Sequence, residues 1–248
     1  MKTHLVIPDE HYFAGDNFRR CEAVSNLISE VRPDVIIRLG DMWDMPSLCS
    51  YDRGKKSMVF KNVKDDIESG HRAERLLFNS IMKTKKYSPY VIKCLGNHEN
   101  RVAKLLEYDP QWEGSVSMDD FKTRLPIEEI IVDYNTYVEA DGVYYSHVFA
   151  SGVMGRPVSS AKALITKKSV SCTMGHSHVL DYAVSTKPDG TKIRGLIAGC
   201  FQDPETQCFG GKQVQNMYWN GIFVKRCIID GDYDLEEISM GQLLKDYL

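Results

Sequence analysis

The 248-residue sequence predicts an α/β fold, and two observations carry that expectation. Its first half alternates short β-branched runs with segments of helical periodicity, the pattern of β-α-β units around a parallel core. Its second half changes to closely spaced strand-like runs, some joined by Asp-Gly pairs at 141–142, 189–190 and 230–231, the signal of tight hairpin turns.

His4 to Pro8 is an apolar run too short for a helix, ended by Pro8, which has no N–H to give a strand ladder. From Asp16 to Val31 the residues Phe18, Val24, Leu27, Ile28 and Val31 recur at helical spacing, with Asp16 placed to cap the N-terminus and Pro33 closing the segment. Val35 to Leu39 is a continuous β-branched run of the kind buried on both faces in a parallel sheet. A long polar helix is expected from Val63 to Lys83 and a strand from Tyr90 to Leu95. Further strands are expected at 130–132, 137–139, 143–146, 170–173, 182–186, 192–198, 221–229 and 233–238, with one helix near Ser159 to Lys167. No repeat, low-complexity tract or linker divides the chain, so residues 1–248 are expected to form one domain.

Hydrophobic residues make up 43% and charged residues 26%, which excludes a disordered chain. The net charge of −3 gives no global attraction to nucleic acid or anionic membrane. Basic clusters at 53–56, 83–86 and 167–168 each read, taken singly, as solvated faces. The seven cysteines contain no C-x-x-C pair and several lie in apolar runs, the pattern of reduced, buried thiols; Cys200 and Cys208 flank a loop and are expected to be more exposed. No apolar run approaches a transmembrane length and no secretory leader is read at the start, so a cytoplasmic location without membrane contact is expected. Residues 45–62, 107–126 and 200–220 look like elaborations with scattered aromatics, for which binding element and surface filler are equally good readings.

The chemistry lies in five short segments, each after a strand: Asp9-Glu10-His11, Gly40-Asp41-Met42-Trp43-Asp44, Gly96-Asn97-His98-Glu99, Ser146-His147 and Gly175-His176-Ser177-His178. Carboxyl ends of strands are where α/β sheets bind ligands. Aspartate, histidine and asparagine supply oxygen and nitrogen donors to transition metals, and one carboxylate can bridge two cations. Each segment alone has a bland explanation, such as a surface Asp-x-His or a capped turn. Five in order do not.

Together they resemble the signature of the calcineurin-like metallophosphoesterases, directly over residues 9–178 and loosely to the end, with a size similar to small bacteriophage or bacterial members. The resemblance implies a two-sheet β-sandwich flanked by helices, the four-layer αββα architecture (α+β in some schemes). It implies two divalent transition-metal ions, manganese first, with iron, zinc, cobalt or nickel accepted by the same donors. One ion would be held by Asp9, His11, Asp41 and His178, the other by Asp41, Asn97, His147 and His176. His98 would reach the scissile phosphate without binding metal, and Asp44 would orient it or simply cap a helix. His147 is the one histidine between His98 and His176, although its motif lacks the glycine common in the family; Pro8 likewise stands where a small residue is usual. Arg101 is near enough in sequence to touch phosphate, with solvent exposure as its default.

The implied reaction is hydrolysis of a phosphate ester by direct attack of a metal-bridging hydroxide on phosphorus. Met45-Pro46 and Leu95 stand where phosphoprotein phosphatases of the family carry Arg-Gly and arginine, which points away from them and toward a phosphodiesterase or nuclease. Trp112 or Trp219 would then be available to stack on bases. A phosphomonoesterase or phosphoprotein phosphatase is the alternative. A non-catalytic scaffold, as in the retromer subunit of this fold that has lost the catalytic histidine, is opposed by the presence of His98.

Overall fold

Strand β1 (Lys2–Ile7) runs parallel to β2 (Val35–Arg38), which continues into parallel β3 (Tyr90–Cys94) and β4 (Glu129–Val132). In the computed structural model, which describes residues 1–84, 86–205 and 212–248, these four belong to a six-stranded sheet. A second, five-stranded sheet holds β5 (Val138–Ala140), β6 (Val143–Ser146), β7 (Ser171–Met174), β8 (Leu180–Thr186) and β9 (Lys192–Ala198), in the order β5-β6-β7-β9-β8. The chain then returns to the first sheet as the antiparallel hairpin β10 (Gly221–Ile229) and β11 (Asp232–Ser239), with β10 beside β1. The three Asp-Gly pairs form the turns of β5–β6, β8–β9 and β10–β11, as their sequence predicts.

Alternation along each strand assigns the layers. Leu5 and Ile7 pack with helix α1 (Arg19–Val31), α2 (Val63–Leu77), α3 (Asn79–Lys83) and the C-terminal α7 (Met240–Tyr247), while Val6 between them faces Tyr145, Leu196 and Phe223 in the core between the sheets. On the far face of the second sheet, Cys172, Met174 and Ile197 pack against Ala161 and Leu164 of α5 (Ala161–Lys168). The product is an α/β sandwich of two sheets between helices, as the sequence predicts. Two further helices, α4 (Asn100–Tyr108) and the short α6 (Lys212–Gln215), complete the seven found among the described residues.

Several local expectations are corrected. The long helix over 63–83 breaks at Phe78 into α2 and α3. Asp16 does not cap α1: the helix begins at Arg19 after Phe18 in a left-handed conformation, and Asp16 instead accepts the Phe18 N–H and pairs with the buried Arg20. Cys200 is buried, as are Cys21, Cys94 and Cys172, whereas Cys227 is exposed; all six described cysteines are free. Trp219, partly buried, stacks on Phe223 at a ring separation of 4.6 Å and packs against the core between the sheets, so that face of its ring is taken. Lys85 and Cys208 lie outside the described residues. No described helix is long and apolar enough to cross a membrane.

Candidate metal centre

The five segments leave five parallel-type strand ends and converge. Asp9 and His11 follow β1, Asp41 and Asp44 follow β2, Asn97 and His98 follow β3, His147 follows β6, and His176 and His178 follow β7. Three strands are from one sheet and two from the other, so the cluster lies where the sheets' carboxyl ends meet.

Fitting so many polar groups into one volume requires local concessions. Asp9, His11, Asp41, His176 and His178 all have positive φ, between 40° and 73°. A non-glycine residue held there costs about 1 kcal/mol or more, and such strain gathers at functional sites. Two glycines admit the carboxylates. A Cβ on Gly96 would lie 2.1 Å from Asp41 Oδ1, and one on Gly175 would lie 2.0 Å from Asp9 Oδ2.

Among the described residues, three groups have donor atoms close enough to share an ion: Asp9–His11–His178, Asp41–His147–His176, and His11–Asp41–His98. Their separations fit coordination. Two imidazole nitrogens on one ion at about 2.1 Å stand about 3.0–3.4 Å apart. His11 Nε2 and His178 Nε2 are 3.1 Å apart, and His147 Nε2 and His176 Nδ1 are 3.2 Å apart. Asn97 Oδ1 adds an oxygen 3.0 Å from His147 Nε2 and 2.8 Å from His176 Nδ1. Asp41 Oδ2 stands between the first two groups, 3.4 Å from His147 Nε2 and 3.8 Å from His11 Nε2.

The donor set itself calls for a cation. His147 is buried, and with Nδ1–H donating to the Leu39 carbonyl at 2.7 Å, its Nε2 lone pair faces the amide oxygen of Asn97. An acceptor facing an acceptor in a buried site is an arrangement that a shared proton, a turned amide or a metal ion satisfies. Burial pushes His11 down to about 4 and lowers His176, keeping both imidazoles in the neutral form that binds metal. Burial pushes Asp41 up, but the neighbouring His147, His98 and His11 outweigh it and hold the carboxyl far below its usual range.

His98 is placed differently. Its backbone N–H donates to Asp41 Oδ1 at 2.8 Å, and its Nδ1 lies 2.7 Å from the Asp44 carbonyl and 3.0 Å from Asp44 Oδ1. Asp44 Oδ1 also lies 3.2 Å from His11 Nδ1, so this carboxylate orients two rings and caps no helix. With its proton on Nδ1, His98 accepts from Arg101 Nη2 at Nε2, 3.0 Å away. Burial opposes a charge on His98, yet Asp41 and Asp44 raise it to about 9. A proton and Arg101 therefore compete for Nε2. Arg101 is not a solvated side chain: half-buried, it also donates to the carbonyls of Asp44 and Met45 at 2.8 and 3.0 Å.

No family model matches the chain. It is 25% identical over 183 residues to the Gene 54 protein of Mycobacterium phage L5, an alignment covering 72% of this chain and 70% of that protein. It is 23% identical over 191 residues to the Gene 54 protein of Mycobacterium phage D29, with the same coverage of each. Those names state no activity, so the chemistry rests on the residues.

The structure thus brings together every residue that the sequence singled out: Asp9, His11, Asp41, Asp44, Asn97, His98, His147, His176 and His178. Sequence reasoning missed the groups that hold them. Glu99, buried, accepts the backbone N–H groups of Gly96, Asp41 and Trp43 at 2.7–3.0 Å and so ties the second segment to the third; burial and the Asp41 carboxylate push it up to about 7. Arg20 donates to the carbonyls of Glu10 and Phe201. Glu10, between two candidate ligands, is gripped by the buried Arg38. Charged residues inside apolar strands, Arg38 and Lys93, are the signal that could have found this second layer.

Proposed function

We propose that this chain is a dinuclear metal-dependent phosphoesterase of the calcineurin-like kind, acting on phosphodiesters in the cytoplasm of a host cell. One observation carries the reading: Asp41 Oδ2 stands between two donor groups, Asp9–His11–His178 and Asp41–His147–His176, and a histidine with its own carboxylate and arginine stands beside them. Asp9, His11, Asp41 and His178 would hold one ion, and Asp41, Asn97, His147 and His176 the other. Bound there, divalent cations acidify water and neutralise phosphoryl charge.

The remaining work falls to side chains. Asp44 fixes the His98 ring through Nδ1, so that Nε2 can carry a proton to the leaving oxygen. Arg101, in contact with Nε2 in this structure, is placed to exchange that contact for a phosphoryl oxygen, which frees Nε2 for its proton. Glu99 keeps the backbones of Gly96, Asp41 and Trp43 in register, holding the shared carboxylate still. Buried Met45 and Leu95 stand where a protein phosphatase would need cations, which favours diesters, with one anionic charge, over dianionic monoesters.

The test is hydrolysis of bis-p-nitrophenyl phosphate against p-nitrophenyl phosphate by chelator-stripped protein reloaded with manganese. Manganese-dependent turnover with diester preference is expected. Turnover of the monoester alone sinks the diesterase reading, and bound metal without turnover of either favours a scaffold.

A further inference from the structure

The stretch between Asp44 and α2 is unlike its surroundings. Residues 45–62 carry Arg53, Lys55, Lys56 and Lys61 against a single acid, Asp52. That is +3 in a chain whose total is −3, so the other residues together carry −6. All four cations are exposed, and among the described residues only Lys55 is in an ion pair, with Asp52 at 3.0 Å. Interleaved with them are two aromatic rings facing solvent, Tyr51 at 85% and Phe60 at 97% exposure.

The segment is built, not slack. Three short 3-10 turns, at Pro46–Leu48, Ser50–Asp52 and Lys56–Met58, are linked by backbone bonds such as Lys55 N–H to the Asp52 carbonyl and Lys61 N–H to the Met58 carbonyl. Phe60 has φ of 67°, a conformation that a bulky residue adopts at a cost. Its ring gains no burial in return. Unrepaid strain combined with exposure of a large apolar side chain is an expense that intramolecular packing does not explain.

One end adjoins the metal centre and the other enters the helix that packs on Trp43. The stretch leaves at Met45, whose carbonyl accepts from Arg101. It returns at Asn62, the cap of α2, five residues before Ile67, whose carbonyl accepts the indole N–H of Trp43. Cations for phosphates and rings for unpaired bases, alternating along one ordered loop, form the chemistry that grips a single strand. The rest of the chain carries no net positive charge to compete with this loop for an anionic ligand.

We propose that residues 45–62 are a platform for single-stranded nucleic acid, which delivers a backbone phosphodiester to the adjoining centre. The substrate class rests on the phosphodiesterase reading above. The same side chains could suit an anionic bilayer, but the loop's anchorage beside a diester site favours the strand.

The experiment uses the full chain loaded with manganese. Anisotropy of a short dye-labelled oligothymidylate is measured over a salt series, the oligonucleotide being checked on a gel afterwards. Two variants are compared with wild type: R53A/K55A/K56A/K61A and Y51A/F60A. Each is expected to weaken binding at least about tenfold, the loss of about one or two stacked bases or of a few phosphate contacts. The quadruple variant should also lower the salt slope by close to 3, at about 0.7 per lost phosphate contact. Turnover of bis-p-nitrophenyl phosphate should be unchanged in both. Unaltered affinity in both variants overturns the platform, as does equal binding of the matching duplex, or binding of phosphatidylserine-containing vesicles in place of the oligonucleotide. Wild type that hydrolyses bis-p-nitrophenyl phosphate but neither binds nor cuts the strand sinks the platform and leaves the phosphodiesterase reading standing. Binding through these residues without hydrolysis of any diester does the reverse.

Discussion

Arg38 holds both carboxylate oxygens of Glu10, at 2.7 and 3.0 Å, and Glu10 is the residue between Asp9 and His11. The same guanidinium pairs with Glu74 of α2, which pairs in turn with Lys93 of β3, and Lys93 reaches Glu129 of β4 at 2.9 Å. Arg38, Glu10, Glu74 and Lys93 are fully buried. Three strands, one helix and the loop of the first segment are thus fixed by one ionic chain inside the protein.

Breaking that chain at its middle strands two cations. Glu74→Ala leaves Arg38 and Lys93 in a low-dielectric interior with one fewer counter-charge, and is expected to cost about 3–5 kcal/mol. Urea denaturation of metal-free protein measures it. A loss under 1 kcal/mol would show that water enters freely around the pair.

His98→Ala removes the proton carrier without touching a donor of the two main groups. Metal content by elemental analysis should be unchanged, while diester turnover falls by about 10²–10⁴-fold. Loss of one ion in this variant would assign His98, through the His11–Asp41–His98 group, to the metal instead.

Gly175→Ala tests the packing of the centre. The added methyl would meet Asp9 Oδ2 at 2.0 Å, whereas at Gly152 it would meet nothing within 4 Å. Displacing Asp9 should weaken metal binding by about 10–100-fold, as loss of an orienting contact does elsewhere. Gly152→Ala is the control and should bind metal as wild type does, both read by competition with a chromophoric chelator.

Away from the centre, His4 is buried between the Tyr145 hydroxyl and the Asp141 carboxylate, at 2.8 and 2.9 Å, with Lys225 nearby. Burial, though opposed by Asp141, lowers it to about 4, below its unfolded value. The unfolded chain therefore takes up this proton first as pH falls. His4's contribution is complete above pH 6.5 and is lost between 6.5 and about 4, on the order of 3 kcal/mol. Stability measured from pH 7 to 4.5 should fall less steeply in His4→Gln than in wild type.

The layers and the cluster of metal-type donors were legible in the sequence for the same reason: both depend on local pattern. β-branched runs marked buried strands, Asp-Gly marked hairpins, and donors placed after strands marked the centre. What was not legible depended on distant partners. Asp16 has the chemistry of a cap, but Arg20 claims it four residues on. Phe78 interrupts a periodic helix while packing in the core beside Leu77 and Ile81. Helix α4 follows so closely on the third segment that its ligand residues masked its periodicity. Trp219 looked like a loop aromatic until β10 of the first sheet supplied Phe223 beneath it.

The split origin of the centre has a mechanical consequence. His147 and His176 come from one sheet, Asp41 and Asn97 from the other, and an ion shared by them would act as a rivet through the sandwich. Occupancy would add its binding energy to every opening that parts the sheets and to none that frays an edge. Amide exchange in β2 and β7 should then slow together as metal is titrated, while α7 and β8 continue to exchange as before. The rivet would make the protein stiffest where its two halves, distant in sequence, have least covalent reason to stay together.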